Sequence, residues 1–391
     1  MKWERVELGE IAEINPRKDL TGLTDETSVA FIGMANVSEI TNTLEKVNYR
    51  QVKEVKKGYT FIPKGSILLA KITPCFENGK VALAKIESDV GFGSTEFHVI
   101  QSKQGKSDPR YLFHLFRSPN FRQSGISQMT GSAGQKRVPT SFLKSLQIPL
   151  PPLSEQRRLA ARLDKADAVR QKSRALVDVY AELGRSVFLE VFGDPVRNER
   201  GWEVVELEEI SKKITDGTHQ SPTFLSEGIP FLFVSNVKNN SISFQTSKYI
   251  SIEEHEDLYK RTPIEIGDIL VTTVGSYGNV AAVASNEKFM FQRHVGYVKP
   301  DHSIVKYEFL VSALQSDFVQ NQMHRVVKGV AQKTLNLKEL KKLQIPLPPL
   351  PLQTRFAAMV ANIEGQRRLA ERQLEAAEAV FGGVLQGTFE G

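Results

Sequence analysis

The sequence has very little cysteine, and Cys75 is the single one among 391 residues. One cysteine excludes a disulfide framework within the chain and the paired cysteines of structural zinc sites, and it fits a reducing cytoplasm. The seven histidines show neither HxxxH nor HExxH spacing, so the pattern predicts no metal centre. No run of about 18 apolar residues occurs, and the first residues, MKWERVELGE, lack the apolar core of a signal peptide. We therefore expect neither a membrane span nor secretion, and a cytoplasmic location.

Motifs of catalysis are missing as well. The run QGKS at 104–107 has Ile100 where a phosphate-binding loop requires glycine. No Asn-Pro-Pro-aromatic or Asp-Pro-Pro-aromatic run is present, so adenine methylation is not expected of this chain. Asp301, Glu339 and Lys341 have the residue types of a nuclease site, but their spacing is too wide. The sequence predicts a protein that recognises rather than reacts, and that binds no cofactor itself.

A long internal repeat is present instead. The octapeptide LQIPLPPL occurs at 146–153 and again, letter for letter, at 343–350. Anchored on it, further segments correspond, such as WERVELGEIA with WEVVELEEIS, KGSILLAKI with IGDILVTTV, and GQKRV with AQKTL. The chain is therefore a tandem duplication whose copies differ most between these shared segments.

Positive charge is in slight excess, with a net charge of +6. Residues 1–152 hold 21 basic and 15 acidic residues, whereas residues 198–349 hold 17 and 18. This balance is compatible with a polyanionic partner and equally with ordinary solubility.

Each copy is predicted to be an α+β domain followed by one long helix. β-branched runs closed by turn residues indicate strands, and Asp108 before Pro109 predicts the N-cap of one helix, matched by a helix from Val305. Beyond each octapeptide an apolar stripe at helical spacing predicts a helix of roughly 55 Å, the first capped by Ser154 and ended by Gly193. The two stripes are best buried against each other as an antiparallel coiled coil. The expected domains are 1–152 and 195–349, with spacer helices at 153–194 and 350–391.

These segments resemble the DNA-specificity subunit of Type I restriction-modification enzymes over essentially the whole chain. The first half carries GYTFIPKGSILLAKITPCFENGK and GFGSTEFHVI; the second carries ITDGTHQSP, GDILVTTVGSYGNVA and RHVGYVKP. The paired octapeptide, followed by SEQRRLA in the first copy, is similar to the regions that bracket the family's recognition domains. The second copy departs from that pattern, with Pro351, Leu352 and Thr354 where the first has Ser154, Glu155 and Arg157.

The resemblance implies two target-recognition domains that read the two halves of a split double-stranded DNA sequence. Half-sites about one duplex turn, roughly 34 Å, apart would suit such a pair. It also implies two modification subunits carrying S-adenosylmethionine, and restriction subunits driven by ATP with Mg²⁺. The alternative is a scaffold that does not bind DNA, in which the prolines form a polyproline II ligand and the helices bind partner helices.

Base readers should be polar side chains on loops between strands, because such loops reach groove edges. In the first half the candidates are Lys71, Thr73, Asn78, Lys80, Thr95, Gln135, Lys136 and Arg137. In the second half they are Thr218, His219, Gln220, Ser276, Tyr277, Asn279, Arg293, His294, Gln332 and Lys333. Turn formation is equally open for four of them, Thr73, Asn78, Thr218 and Asn279. Packing of the shared turn onto a helix is open for Gln135 and Gln332, and phosphate positioning for Lys71 and Lys80.

Overall fold

A computed structural model describes residues 3–132, 134–238, 240–329 and 333–389. The chain divides into two compact units, a first unit of Met1–Ala175 with Ala370–Gly391 and a second unit of Leu176–Leu369. Each unit is described by itself. Among the described residues, no helix is both long enough and apolar enough to cross a membrane.

The first unit contains two four-stranded sheets and a two-stranded one. The sheet orders are β2-β9-β6-β7, which is antiparallel, β4-β3-β8-β5, in which β3 and β8 are parallel, and β1-β10. The strands are β1 Arg5–Glu7, β2 Ala12–Ile14, β3 Ser28–Ile32, β4 Asn48–Gln51, β5 Thr60–Pro63, β6 Ile67–Ala70, β7 Val81–Leu83, β8 Val90–Gly93, β9 Phe97–Ser102 and β10 Gln147–Pro149. The short helices are α1 Leu8–Ile11, α2 Val52–Val55, α3 Pro109–Arg117, α4 Pro119–Ser127 and α5 Thr140–Ser145.

Strand β6 lies in the core of the first unit and is buried on both faces. Ile67 and Leu69 pack into the cluster that contains Tyr111 of α3, whereas Leu68 packs into the cluster of the second sheet with Ile32. Successive side chains of a strand point to opposite faces, so a strand between two layers is apolar at every position. Burial of each such aliphatic side chain contributes about 1.5–3 kcal/mol.

The second unit repeats this plan. Its four-stranded antiparallel sheet has the order β12-β20-β17-β18, and β13 pairs with β16 and, in parallel, with β19. The strands are β11 Glu203–Glu206, β12 Ser211–Asp216, β13 Ile229–Leu232, β14 Val237–Lys238, β15 Ser241–Ile242, β16 Tyr249–Ile250, β17 Ile269–Thr272, β18 Val280–Ala282, β19 Met290–Phe291, β20 Val295–Pro300 and β21 Gln344–Leu347. The helices that follow α6 Leu153–Phe192 are α7 Ile252–Arg261, α8 Tyr307–Gln315, α9 Asp317–Val326, α10 Leu337–Lys341 and α11 Leu350–Phe389.

The single helix predicted before each octapeptide is two successive helices. Asp108 caps α3 as predicted, accepting from the backbone amides of Arg110 and Tyr111. The break falls at Ser118, whose hydroxyl caps α4, and Pro119 follows it at the first helical position. In the second unit Ser316 caps α9 in the same way. A serine cap satisfies an amide that has no intrahelical partner, so it favours a new start.

The long helices α6 and α11 each have 40 residues, which corresponds to about 60 Å. In the first unit Leu163 of α6 packs against Phe381 and Leu385 of α11. In the second unit Phe188 and Phe192 of α6 pack against Phe356 of α11. Early residues of each helix thus contact late residues of the other, which confirms the antiparallel pairing.

The predicted cap of α6 by Ser154 is wrong, because the helix begins one residue earlier, at Leu153. The carbonyl of Pro152 accepts from the amides of Glu155 and Gln156, which places Ser154 inside the first turn. The predicted end is correct, since Gly193 has a φ of 80° directly after Phe192.

In each unit a buried glutamine of the long helix bonds the proline hinge, which is the IPLPP run of the octapeptide, to the segment that leads into α3 or α8. In the first unit Gln156 Oε1 accepts from the amide of Asp108 at 2.9 Å, and its Nε2 donates to the carbonyls of Pro151 at 2.9 Å and Lys106 at 3.2 Å. Gln353 makes the equivalent three bonds in the second unit, to Lys306, Pro348 and Ile304. Both copies therefore have the same glutamine with the same bonds, although the neighbouring residues Ser154, Glu155 and Arg157 are replaced in the second copy.

Candidate nucleic-acid interface

Three loops meet beside β6 in the first unit: 71–80 after β6, 94–96 between β8 and β9, and the described residues of 130–137 between α4 and α5. We call them the first loop cluster. The amide of Lys71 donates to the carbonyl of Glu96 at 2.9 Å, and that of Thr73 to the carbonyl of Lys136 at 3.0 Å. The amide of Val138 returns to the carbonyl of Lys71 at 2.8 Å. These bonds fix the three loops to one another through their backbones.

His98 on β9 contacts the residue that follows the 130–137 loop, and it is 3% exposed. Its Nε2 lies 2.8 Å from the carbonyl of Val138, and its Nδ1 lies 3.4 Å from Nδ2 of Asn15. Burial lowers the pKa of His98, against a smaller opposing effect of the bond to Val138. A neutral imidazole therefore helps to hold the end of the 130–137 loop.

The side chains of the first loop cluster fall into two groups. The hydroxyl of Thr73 is hydrogen-bonded within the cluster, because it donates to the carbonyl of Gly134 and accepts from the amide of Lys136. Arg137 forms an ion pair with Glu96, and this bond holds the pKa of the Glu96 carboxyl below its usual range. Of the other predicted residues in the cluster, Thr95, Gln135, Lys136 and Asn78 are exposed, while Lys71 is half-buried.

Two predicted residues of the same 71–80 loop contact a different segment. Nδ2 of Asn78 donates to Glu39 at 3.2 Å, and Nζ of Lys80 donates to the carbonyl of Met34 at 3.4 Å. Both contacts tie the loop to the segment that follows β3. Asn78 remains exposed, and Lys80 is half-buried.

The second unit has the same backbone frame in a second loop cluster, formed by residues 273–279, 292–294 and 333–335 and joined by the 217–220 loop. The amide of Thr273 donates to the carbonyl of His294 at 2.9 Å, and that of Gly275 to Lys333 at 2.9 Å. The amide of Leu335 returns to Thr273 at 2.8 Å. The three bonds correspond one to one with those of the first loop cluster, although the side chains differ.

Several predicted residues of the second loop cluster have their polar atoms engaged locally. Nδ2 of Asn279 donates to the carbonyl of Ser276 at 2.8 Å. The hydroxyl of Tyr277 lies 2.7 Å from Nδ1 of His324, and Nζ of Lys333 lies 6.0 Å from the centre of the Tyr277 ring. His324 was not predicted, because nothing in the sequence links α9 to this loop.

The 217–220 loop is joined to the cluster through Arg293, whose amide donates to the carbonyl of Thr218 at 3.0 Å. The hydroxyl of Thr218 donates to the carbonyl of Gln220, and Nε2 of His219 lies 2.8 Å from Asp216. Burial, with the charge of Arg293 beside it, lowers the pKa of His294. Gln332 lies outside the described residues.

In the two clusters, Lys136, Arg293 and Lys333 are exposed. Nε of Arg293 donates to Nε2 of His294 at 3.3 Å. Thr218 and Asn279 have side-chain contacts within their own turns, as their alternative role requires. The Thr73 hydroxyl instead contacts the 130–137 loop. Within the described ranges, no group of three or more His, Cys, Asp and Glu is placed to hold a metal ion.

A family model for the Type I restriction modification DNA specificity domain matches the chain twice, over residues 1–176 and 199–379. The chain belongs to this family. The two specificity domains correspond to the two copies of the repeat, which confirms both the resemblance and the α+β tandem fold.

The chain is also similar to curated specificity subunits of Type I restriction enzymes. The specificity subunit of the Type I restriction enzyme EcoAI of Escherichia coli is 42% identical over 186 residues, which span 46% of this chain and 31% of that relative. The match thus spans about a third of that relative's length. The EcoBI specificity subunit of Escherichia coli is 24% identical over 381 residues, covering 89% of this chain and 80% of that relative.

Solved structures share the fold. A Type I restriction-modification system S subunit from M. genitalium has a TM-score of 0.60 at 14% identity and covers 100% of this chain and 96% of its own. A chain from work on complex assembly and conformational transition of the type I R-M system has a TM-score of 0.50 at 21% identity, covering 98% and 97%. At these identities the likeness concerns the fold.

Proposed function

We propose that this chain is the non-catalytic specificity subunit of a Type I restriction-modification system. Each unit reads one half of a bipartite sequence in double-stranded DNA through its loop cluster. The observation that carries the proposal is the pair of matching backbone frames with differing side chains. A frame that is kept while its side chains change is what two readers of different half-sites require.

The proposal extends to the partners that act on the recognised DNA. Two modification subunits would bind the chain and carry S-adenosylmethionine, and restriction subunits would supply ATP-driven cleavage with Mg²⁺. The domains would be residues 1–152 and 195–349, with residues 153–194 and 350–391 as helices that set the spacer. The system would act in the cytoplasm.

The scaffold alternative is less well supported, because two prolines of the octapeptide are buried and accept hydrogen bonds within the chain. Pro149 is buried, pairs with Arg5 in the small sheet and accepts from the Tyr111 hydroxyl at 2.7 Å. Pro151 is buried too, and its carbonyl accepts from Gln156. A polyproline II ligand must instead present its face to a partner groove.

Salt dependence of DNA binding tests the proposal. Each phosphate neutralised by a Lys or Arg contributes a slope of about −0.9 in a plot of log affinity against log salt concentration. We expect a steep slope for the full chain in complex with its modification subunits. Lys136→Ala and Lys333→Ala should each make it shallower by about 1.

The matched control is Lys260→Ala, since Lys260 is an exposed lysine on α7, paired with Asp257 and outside the loop clusters. It should leave the slope unchanged. A complex whose affinity for DNA does not depend on salt would contradict the proposal in favour of a scaffold. A steep slope that stays the same in both lysine variants would contradict the proposal that the loop clusters read the DNA.

A further inference from the structure

Arg137 and Glu96 form an ion pair in the first loop cluster, and the hydrogen-bonding groups of both side chains can instead bind another partner. Nε and Nη2 of Arg137 donate to the two carboxylate oxygens at 3.0 and 2.8 Å. Nη1 donates to the carbonyl of Gln135 at 3.2 Å. The side chains are 41% and 26% exposed, so water reaches the pair. A partly exposed ion pair contributes little to stability.

The backbone frame also stands without this pair. The positions equivalent to Glu96 and Arg137 in the second unit are held by His294 and Thr334, which cannot form an ion pair. The same three backbone bonds are nonetheless present there. The ion pair is therefore not what positions the loops, and its two residues stand at positions where the side chains are free to differ between readers.

The two groups match the two halves of one base pair. An arginine fork fits the O6 and N7 acceptors of guanine, and a carboxylate accepts from the N4 amino group of cytosine. A G·C pair presents both features side by side in the major groove, whereas an A·T pair lacks the two adjacent acceptors that an arginine fork needs, because N7 of adenine lies beside the N6 amino donor. Each group would then exchange its present hydrogen bonds for hydrogen bonds to a base.

We propose that Arg137 and Glu96 together read a single G·C base pair in the half-site of the first unit, with Arg137 on guanine and Glu96 on cytosine. This inference rests on the proposed function. It adds Glu96 as a specificity-determining residue and gives the first half-site one defined base pair.

The test is selection of bound duplexes from a pool with randomised sequence, using the full chain with its modification subunits. The unaltered complex should select a half-site that contains a G·C pair. Arg137→Ala and Glu96→Ala should relax the same position by about tenfold to a hundredfold, with the other positions kept. The double variant should relax it no further than the stronger single one. Arg137→Lys, which keeps the charge but loses the fork, should relax it as well.

The control is Lys53→Ala, which removes an exposed ion pair with Glu26 on the same unit and should change no base preference. A purely structural pair would lower affinity at all positions alike, and this result would overturn the inference. Relaxation of different positions by the two variants, or of an A·T position, would also overturn it. If the unaltered complex selects no sequence at all, the proposed function fails and the inference fails with it.

Discussion

Replacement of Gln156 by alanine should strongly destabilise the first unit. The side chain is 1% exposed and bonds three backbone groups, the amide of Asp108 and the carbonyls of Pro151 and Lys106. Alanine leaves these groups without this partner, and each loss costs about 1 kcal/mol or more when the group is buried. We therefore expect the free energy of unfolding of the first unit to fall by about 3 kcal/mol.

The two tryptophans make this effect measurable one unit at a time. Trp3 lies in the first unit and Trp202 in the second, and they are the two tryptophans of the sequence. In a Trp202→Phe background, fluorescence during urea unfolding reports the first unit; in a Trp3→Phe background it reports the second. Gln156→Ala should shift the first transition, and Gln353→Ala should shift the second by a similar amount.

Gln123→Ala is the control, because Gln123 is exposed on α4, and its change should stay within about 0.5 kcal/mol. A loss below about 1 kcal/mol for Gln156→Ala would refute the role of the buried amide. So would a shift of the second transition alone.

Two further outcomes follow from the same packing. Gly125→Ala should destabilise the first unit by about 1–3 kcal/mol, since a Cβ there would lie 2.2 Å from the Phe76 ring. Gly184→Ala on α6 should stabilise the second unit by up to about 1 kcal/mol, because a Cβ there meets nothing within 4 Å. Changes of the same sign in the two free energies of unfolding, measured in urea, would contradict this prediction. Burial lowers the pKa of His98 and of His114 in the folded protein, below the unfolded value of about 6.5, so their contribution to stability is present above that pH and is lost as the pH falls through the folded pKa. Stability of the first unit should therefore drop on acidification below about pH 6.5, and His98→Gln should reduce the slope; a flat profile would contradict it.

The repeat and the long helices were predictable because they rest on local signals. The identical octapeptides set the register of the two copies, and the apolar stripes with the Gly193 stop gave the helices nearly to the residue. The prediction of Ser154 as the cap of α6 was wrong because serine is a common capping residue, whereas here the carbonyl of Pro152 accepts from the amides of Glu155 and Gln156. A serine near a helix start therefore does not by itself identify the capping residue when prolines precede it.

The details of the site depended on contacts between distant segments, which the sequence does not display. Glu96 and Arg137 are 41 residues apart, and Tyr277 and His324 are 47 apart. Gln156 and Gln353 were visible as repeated letters, but nothing in the sequence gave them a role. The choice of base-contacting residues therefore stays a prediction, although the loops that carry them do come together in each unit.

Exchange of one reader tests the account most directly. The chain would be coexpressed with its modification subunits, and the methylated bases would be mapped across a genome, with residues 1–145 either native or replaced by the equivalent domain of another family member. The account predicts a bipartite methylated sequence in which the exchange alters one half and leaves the other half and the spacer unchanged. A change in both halves, or methylation without a bipartite sequence, would contradict the claim that two units each read one half-site.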